Sequence, residues 1–191
     1  MSGFTSESLF YKSQEQHELK LKSFARYIAQ LPADQNVLDI GCGYGELLRF
    51  AKPLGEYVGI DLVWEFVTEA RRRYPGERFA VTDVFSYVGP APDWALLVGV
   101  LSSVPTPEAV LSRAAELARK GIIFDITLEE RLPADYVDLF RWSREEVQLV
   151  MRKFDLVITE TYDAGATWVI FRAERRPLVE RERMGSSLGG E

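Results

Sequence analysis

The nine residues Val37-Leu-Asp-Ile-Gly-Cys-Gly-Tyr-Gly45 constrain this chain more than any other passage: a short apolar run enters a turn with glycine at every second position. A strand buried on both faces of a parallel sheet calls for Val37, Leu38 and Ile40, while alternate glycines let the backbone bend sharply and approach a ligand closely. Two later strands end in acids: Tyr57 to Ile60 runs into Asp61, and Phe79 to Thr82 into Asp83. In an open parallel sheet, ligands bind beyond the carboxyl ends of the strands, and a carboxylate about 20 residues after the glycine turn is placed to accept from ribose hydroxyls. Asp61 lies 20 positions after Gly41.

A nicotinamide or flavin dinucleotide site uses the same parts with the spacing G-x-G-x-x-G, whose third glycine frees a helix N-terminus for a pyrophosphate. Here Glu46 occupies that place. A carboxylate beside two phosphates is repulsive, whereas an ammonium or a sulfonium suits an acidic rim.

A strand ending in D-x-G-x-G-x-G, met here by Asp39, Gly41, Gly43 and Gly45, resembles the first motif of the class I S-adenosylmethionine-dependent methyltransferases. The resemblance extends through Asp61, Asp83 and the fourth-strand segment Asp93 to Leu101, and so covers most of the chain. It implies a Rossmann-like, doubly wound α/β fold with a seven-stranded, mostly parallel sheet, an antiparallel last strand and helices on both faces. It implies S-adenosyl-L-methionine as cofactor. Gly41 and Gly43 would then pass beneath the methionine part, with Asp39 holding its ammonium directly or through water and Gly45 giving the next helix a close start. Asp61 would accept from the ribose hydroxyls with Leu62 beside the adenine. Asp83 would accept from the adenine amine while the Val84 amide reads the ring edge, and Val98 and Gly99 would add backbone contacts. Cys42, inside the motif, would belong to the cofactor-binding turn as a small packing residue rather than a nucleophile, with no neighbouring histidine or lysine to activate it.

At 191 residues and 47% hydrophobic content, one well-buried domain is expected. We place it at residues 1–174, with a helical cap over about residues 1–31 and a mobile, charged and then small-residue tail at 175–191. The chain lacks an apolar run long enough to span a membrane and an N-terminal leader pattern, which gives the expectation of a soluble, cytoplasmic monomer or homodimer. One cysteine and one histidine, His17, argue against a metal cluster, and a net charge of −6 argues against nucleic acid as substrate.

Apolar positions Leu21, Phe24, Ala25, Ile28 and Leu31 recur at helical spacing before Pro32, predicting a helix from about Glu7 to Leu31. Strands and helices then alternate: a helix from Glu46, a helix from about Val63 to Tyr74, a strand from Trp94 to Val98, a helix opened by Thr106-Pro-Glu108 and ended by Gly121, and a strand from Ile122 to Ile126. Ser143-Arg-Glu-Glu146 reads as a capping box, and Leu156 to Thr161 with Thr167 to Phe171 as a closing hairpin.

Methyl transfer needs orientation first and a base only when the acceptor must lose a proton. The place after the fourth strand, Val98 to Pro105, lacks the Asn/Asp-Pro-Pro-Tyr type segment of amino-methylating enzymes acting on adenine, cytosine or glutamine, and a Pro-Cys nucleophile is absent. A small-molecule acceptor, methylated on oxygen or nitrogen, is the expectation; a non-catalytic cofactor-binding module and a protein side chain as acceptor stand as alternatives. Tyr11 and His17 are the candidates for catalysis, with Tyr11 and Lys12 equally placed to reach the cofactor carboxylate. Thr127 to Trp142, carrying Tyr136, Phe140 and Trp142, is the candidate acceptor wall. His17, in a helix rich in Glu and Lys, is otherwise read as a solvated surface residue.

Overall fold

The computed structural model describes residues 14–53, 55–131, 141–163 and 168–176. Elements follow the burial demand of the apolar runs: α1 (Gln14–Ile28), β1 (Val37–Ile40), β2 (Tyr57–Asp61), α2 (Trp64–Arg73), β3 (Arg78–Val81), β4 (Trp94–Leu97), α3 (Pro107–Leu117), β5 (Gly121–Thr127), α4 (Arg144–Lys153), β6 (Leu156–Asp163) and β7 (Trp168–Arg175). The seven strands form one sheet in the order β3-β2-β1-β4-β5-β7-β6. β7 pairs antiparallel with both β5 and β6, and the other pairings are parallel. The expected sheet is therefore present. Every residue of β1, β4 and β5 is buried, as strands covered by helices on both faces must be.

Side-chain alternation sorts these strands into two cores. Leu38, Ile40, Ala95, Leu97, Ile122 and Phe124 pack under α3 and α4, against Leu111, Ala114, Val147 and Met151. Val37, Tyr57, Trp94, Leu96 and Ile123 point the other way, to Phe24 and Ile28 of α1 and Val67 and Ala70 of α2. Two positions beyond Val37 and Ile123 on that same face come Asp39 and Asp125, both buried acids. Among the described residues no helix is long and apolar enough to cross a membrane.

Several boundaries differ from the sequence expectation. The helix expected from Glu46 is one 3-10 turn, Glu46–Arg49, entered from a left-handed Gly45 without a side-chain cap and closed off before Pro53. Thr106 occupies the cap position of α3 but its hydroxyl makes no cap bond; Pro107 at the first turn sets the start instead. Gly121 does not end that helix, which stops at Leu117. It opens β5, where the Ala173 carbonyl and the Trp94 ring occupy the space a side chain would need.

The tail does not begin at 175. β7 runs through Arg175 because it has a partner on each side, and the Arg175 guanidinium donates to the carbonyls of Ala115, Ala118 and Phe154. Residues 177–191 lie outside the described residues. The Ser143 capping box is as expected: Ser143 Oγ accepts from the Glu146 amide at 3.1 Å and Glu146 Oε2 accepts from the Ser143 amide at 2.7 Å. Ser143→Ala should lower stability by about 1 kcal/mol and the melting midpoint by roughly 2–4 °C in a thermal scan.

Candidate cofactor site

Strand order reverses between β1 and β4, each of which is paired to the other and to a strand on its outer side, so the turns that follow them splay apart. A cavity of about 490 Å³ opens there. Its wall takes in the turn Gly41 to Tyr44, then Asp61 at the end of β2 with Leu62 and Val63 beyond it, Asp83 to Phe85 after β3, and Val98 to Val100 after β4. His17 and Leu21 of α1 complete it. Ligand cavities of small molecules typically have volumes of about 300–1,000 Å³.

The glycines are needed for different reasons. Gly41, Gly43 and Gly45 all have positive φ, 73°, 53° and 71°, a region that other residues adopt only under strain. A Cβ on Gly41 would lie 2.5 Å from Val100 Cγ2, so this glycine lets the β1 and β4 turns close on each other rather than serving only a ligand. A Cβ on Gly45 would press on the rings of Tyr74 and Phe79, which gives the close start expected for the following turn.

Asp61 reaches the glycine turn directly: its Oδ2 accepts from the Gly43 amide at 2.9 Å and its Oδ1 from the Val63 amide at 2.9 Å. The carboxylate is thus fixed in orientation by its own backbone neighbours at the cavity wall. Asp83 Oδ1 accepts from the Ser86 amide at 2.7 Å, and that bond holds its carboxyl below the usual range. Leu62 and Phe85 line the cavity and are 69% and 51% exposed, an apolar rim open to solvent. Val84 is buried beneath them.

Asp39 is 2% exposed. The Tyr57 hydroxyl donates to its Oδ2 at 2.6 Å, while Oδ1 is buried with no hydrogen-bond partner among the described residues. Burial raises its pKa to about 7, against the lowering effect of the Tyr57 bond and with a smaller push from Asp61. A buried acceptor left in this state at a cavity wall is a place for a donor from outside. Cys42 is buried, its thiol pushed up by burial and by the two neighbouring acids, in keeping with packing rather than reactivity.

His17 is 6% exposed rather than solvated. Its Nε2–H donates to Glu46 Oε2 at 2.6 Å, the contact that most lowers the Glu46 carboxyl from its ordinary range. The helical period hid this, because the partner lies 29 positions away on the glycine turn. Trp142, expected on an acceptor wall, is instead 2% exposed in the core under α3 and α4, pinned there by its backbone bonds to Thr127 and Glu129. Tyr11, Lys12, Tyr136 and Phe140 lie outside the described residues. Sequence reasoning missed Asp125, whose Oδ1 accepts from the Gly99 amide at 2.6 Å, and Lys20, which donates to its Oδ2 at 2.7 Å. The signal was an acid inside the otherwise apolar run Ile122 to Ile126, which demands a partner. Among the described residues no group of three or more His, Cys, Asp or Glu is placed to hold a metal ion.

Residues 38–124 match the family model for a methyltransferase domain. A trans-aconitate 2-methyltransferase from Methylobacterium nodulans is 33% identical over 114 residues, 56% of this chain and 44% of that protein. The fold is shared with the Synechocystis magnesium protoporphyrin IX methyltransferase crystallised with bound S-adenosylmethionine, at a TM-score of 0.71 and 20% identity over 84% of this chain and 80% of that one. It is also shared with the Burkholderia thailandensis 1,6-didemethyltoxoflavin-N1-methyltransferase, at a TM-score of 0.65 and 18% identity over 90% of this chain and 83% of that one. The chain accordingly shares the fold of these methyltransferases, and its segment 38–124 resembles a methyltransferase domain. It spans about half the length, or somewhat less, of the curated relatives it matches.

Proposed function

We propose that this protein binds S-adenosylmethionine in the β1–β4 cavity and transfers its methyl group to an oxygen or nitrogen of a small molecule. The observation that carries the reading is the convergence of four strand-end turns on one cavity, with acids at three of them and an unsatisfied buried carboxylate oxygen among these. The residues fit the cofactor. Asp39 Oδ1 is an acceptor for the methionine ammonium, and Asp61 is an oriented carboxylate for the ribose hydroxyls. The exposed apolar rim of Leu62 and Phe85 suits an adenine ring, whose binding would remove it from water. Gly43 keeps the turn free of side-chain bulk, and Val98 and Gly99 offer backbone groups across the cavity from it.

The cofactor supplies an activated methyl group on a sulfonium. The protein's part is to hold that group and the acceptor in line and to keep water out, which by analogy with oriented intramolecular reactions contributes about 7–11 kcal/mol. His17 holds Glu46 through Nε2, so its proposed role is to seat α1 on the glycine turn and not to take a proton. An acceptor that is nucleophilic without proton loss suits this site. The described cavity wall presents Asp39, Glu46, Asp61 and Asp83 and no lysine or arginine, so the tricarboxylate named for the relative is not carried over to this chain.

Asp61→Ala should weaken cofactor binding by about tenfold to a hundredfold, the effect of losing a buried charge-assisted bond. Equilibrium titration of the variant with S-adenosylhomocysteine checks this, and affinity equal to wild type contradicts the ribose assignment. The reaction itself is tested by following S-adenosylhomocysteine formation from S-adenosylmethionine over a panel of small carboxylates, amines, phenols and a protein lysate. Acceptor-dependent product with a small molecule supports the proposal. Product with protein alone moves the acceptor class to a side chain, and cofactor binding with no product under any acceptor identifies a binding module.

A further inference from the structure

We propose that the buried Lys20–Asp125 pair is a positioning device for the cofactor, so that helix α1 is a working part of the site and not only its cover. The inference rests on the cofactor reading above and extends it to residues outside the matched segment 38–124. Asp125 is 1% exposed on β5, on the face that looks toward α1. A lone carboxylate there would be destabilising, because an uncompensated charge is costly in a low-dielectric interior. The Lys20 ammonium, itself 7% exposed and 2.7 Å from Oδ2, supplies the compensating charge.

The Asp125 carboxylate has a second oxygen to use. Its Oδ1 accepts from the Gly99 amide at 2.6 Å, in the short range of charge-assisted bonds. Gly99 has φ 74°, a conformation that a free chain would leave readily, and the Ser103 hydroxyl secures the same residue from the other side by donating to its carbonyl at 3.2 Å. The Val98–Gly99 peptide is thereby fixed at the cavity wall before any ligand arrives. Lys20 is held in turn, its ammonium lying 4.9 Å from the centroid of the Trp168 ring on β7. One helical turn earlier on the same face, His17 bonds Glu46 of the glycine turn. Thus a single face of α1 is tied to both turns that flank the reversal of strand order. The account assigns Lys20 and Asp125 no contact with the cofactor; they act through Gly99.

Two double variants separate positioning from bulk stability. In Lys20→Met with Asp125→Leu, the charges leave together and Gly99 loses its acceptor. In Lys20→Met with Asp125→Asn, the charges leave but an amide oxygen remains for the Gly99 amide. Exchange of a buried ion pair for groups of similar volume is often close to neutral for folding, so both should fold, each melting below wild type by no more than one unpaired buried amide donor costs. The affinity for S-adenosylhomocysteine should fall about tenfold to a hundredfold in the leucine variant and recover most of that in the asparagine variant. Equal affinity of the leucine variant and wild type overturns the positioning role, while failure of wild type itself to bind overturns the cofactor reading beneath it. Should the leucine variant not fold, the wild-type protein decides. With isotope-labelled glycine, the Gly99 amide should be protected from exchange in the cofactor-free protein and change little on binding. A Gly99 amide that exchanges freely until the ligand is added overturns the proposal.

Discussion

Asp39→Asn is expected to make the cofactor-free protein more stable relative to wild type as pH rises, and to make it a poor binder of S-adenosylmethionine. The fold raises the Asp39 pKa from 3.8 to about 7, chiefly by burial. Between those two values the folded protein holds a proton that the unfolded chain has released. Asp39 therefore favours the folded state at acid pH, and this contribution drains away as pH climbs from about 4 through about 7. Moving the carboxyl from 3.8 to about 7 corresponds to on the order of 4 kcal/mol across that window. Asparagine has no such titration, so the difference in melting midpoint between variant and wild type should grow by several degrees between pH 5 and pH 8. The growth with pH is the diagnostic, since a constant offset would also arise from the altered hydrogen bond to Tyr57.

Function runs the other way. An ammonium delivered to Asp39 Oδ1 compensates the buried charge, so bound cofactor should recover for wild type what burial costs it above neutral pH. S-adenosylhomocysteine should raise the wild-type midpoint more at pH 8 than at pH 5, and Asp39→Asn should lose most of that gain, with binding weakened by about tenfold to a hundredfold. A melting difference that is flat with pH would show that Asp39 is not the buried titrating acid described here.

Gly43→Val should abolish measurable cofactor binding while leaving a folded protein. Gly43 has φ 53°, lines the cavity and donates its amide to Asp61. A β-branched residue in that conformation is strained by about 1–3 kcal/mol, less than the total stability of an ordinary domain of roughly 5–15 kcal/mol. It also places two methyl groups at the wall of the cavity and works against the Asp61 bond, so steric exclusion and loss of the ribose carboxylate act together. Circular dichroism should report native secondary structure, and titration with S-adenosylhomocysteine should give a loss of more than about a hundredfold. Wild-type affinity in a folded variant would mean that the turn faces something other than the ligand.

The fold was legible in the sequence wherever one local pattern determined one element. Val37 to Ile40, Trp94 to Leu97 and Ile122 to Ile126 are largely apolar on both faces, Asp39 and Asp125 apart, and a covered parallel sheet accepts such strands. The Ser143 capping box was equally local. Legibility failed where a contact from far along the chain decided. Gly121 looked like a helix stop because nothing nearby reveals that Ala173 and Trp94 crowd it. His17 looked like a solvated helix residue, and Lys20 gave no signal, because their partners Glu46 and Asp125 come from other layers of the fold. Trp142 looked like a pocket aromatic because its segment mixes acids with large rings, and only the packing of α4 shows which side it takes.

The same division holds for the candidate site. Spacing alone predicted that Asp61 would meet the glycine turn, and its oxygen lies 2.9 Å from the Gly43 amide. Spacing could not show that Gly41 is a glycine largely because Val100 needs the room, nor that Asp39 keeps one oxygen unsatisfied.

The central claim is that the cavity at the β1–β4 reversal grips a sulfonium nucleoside. Calorimetric titration of the wild-type protein with S-adenosylhomocysteine, run beside reduced nicotinamide dinucleotide, tests it most directly. One saturable site per chain is expected for the former, with roughly micromolar affinity, and no binding of the latter. No heat from S-adenosylhomocysteine at millimolar concentration, or tighter binding of the dinucleotide, would contradict it.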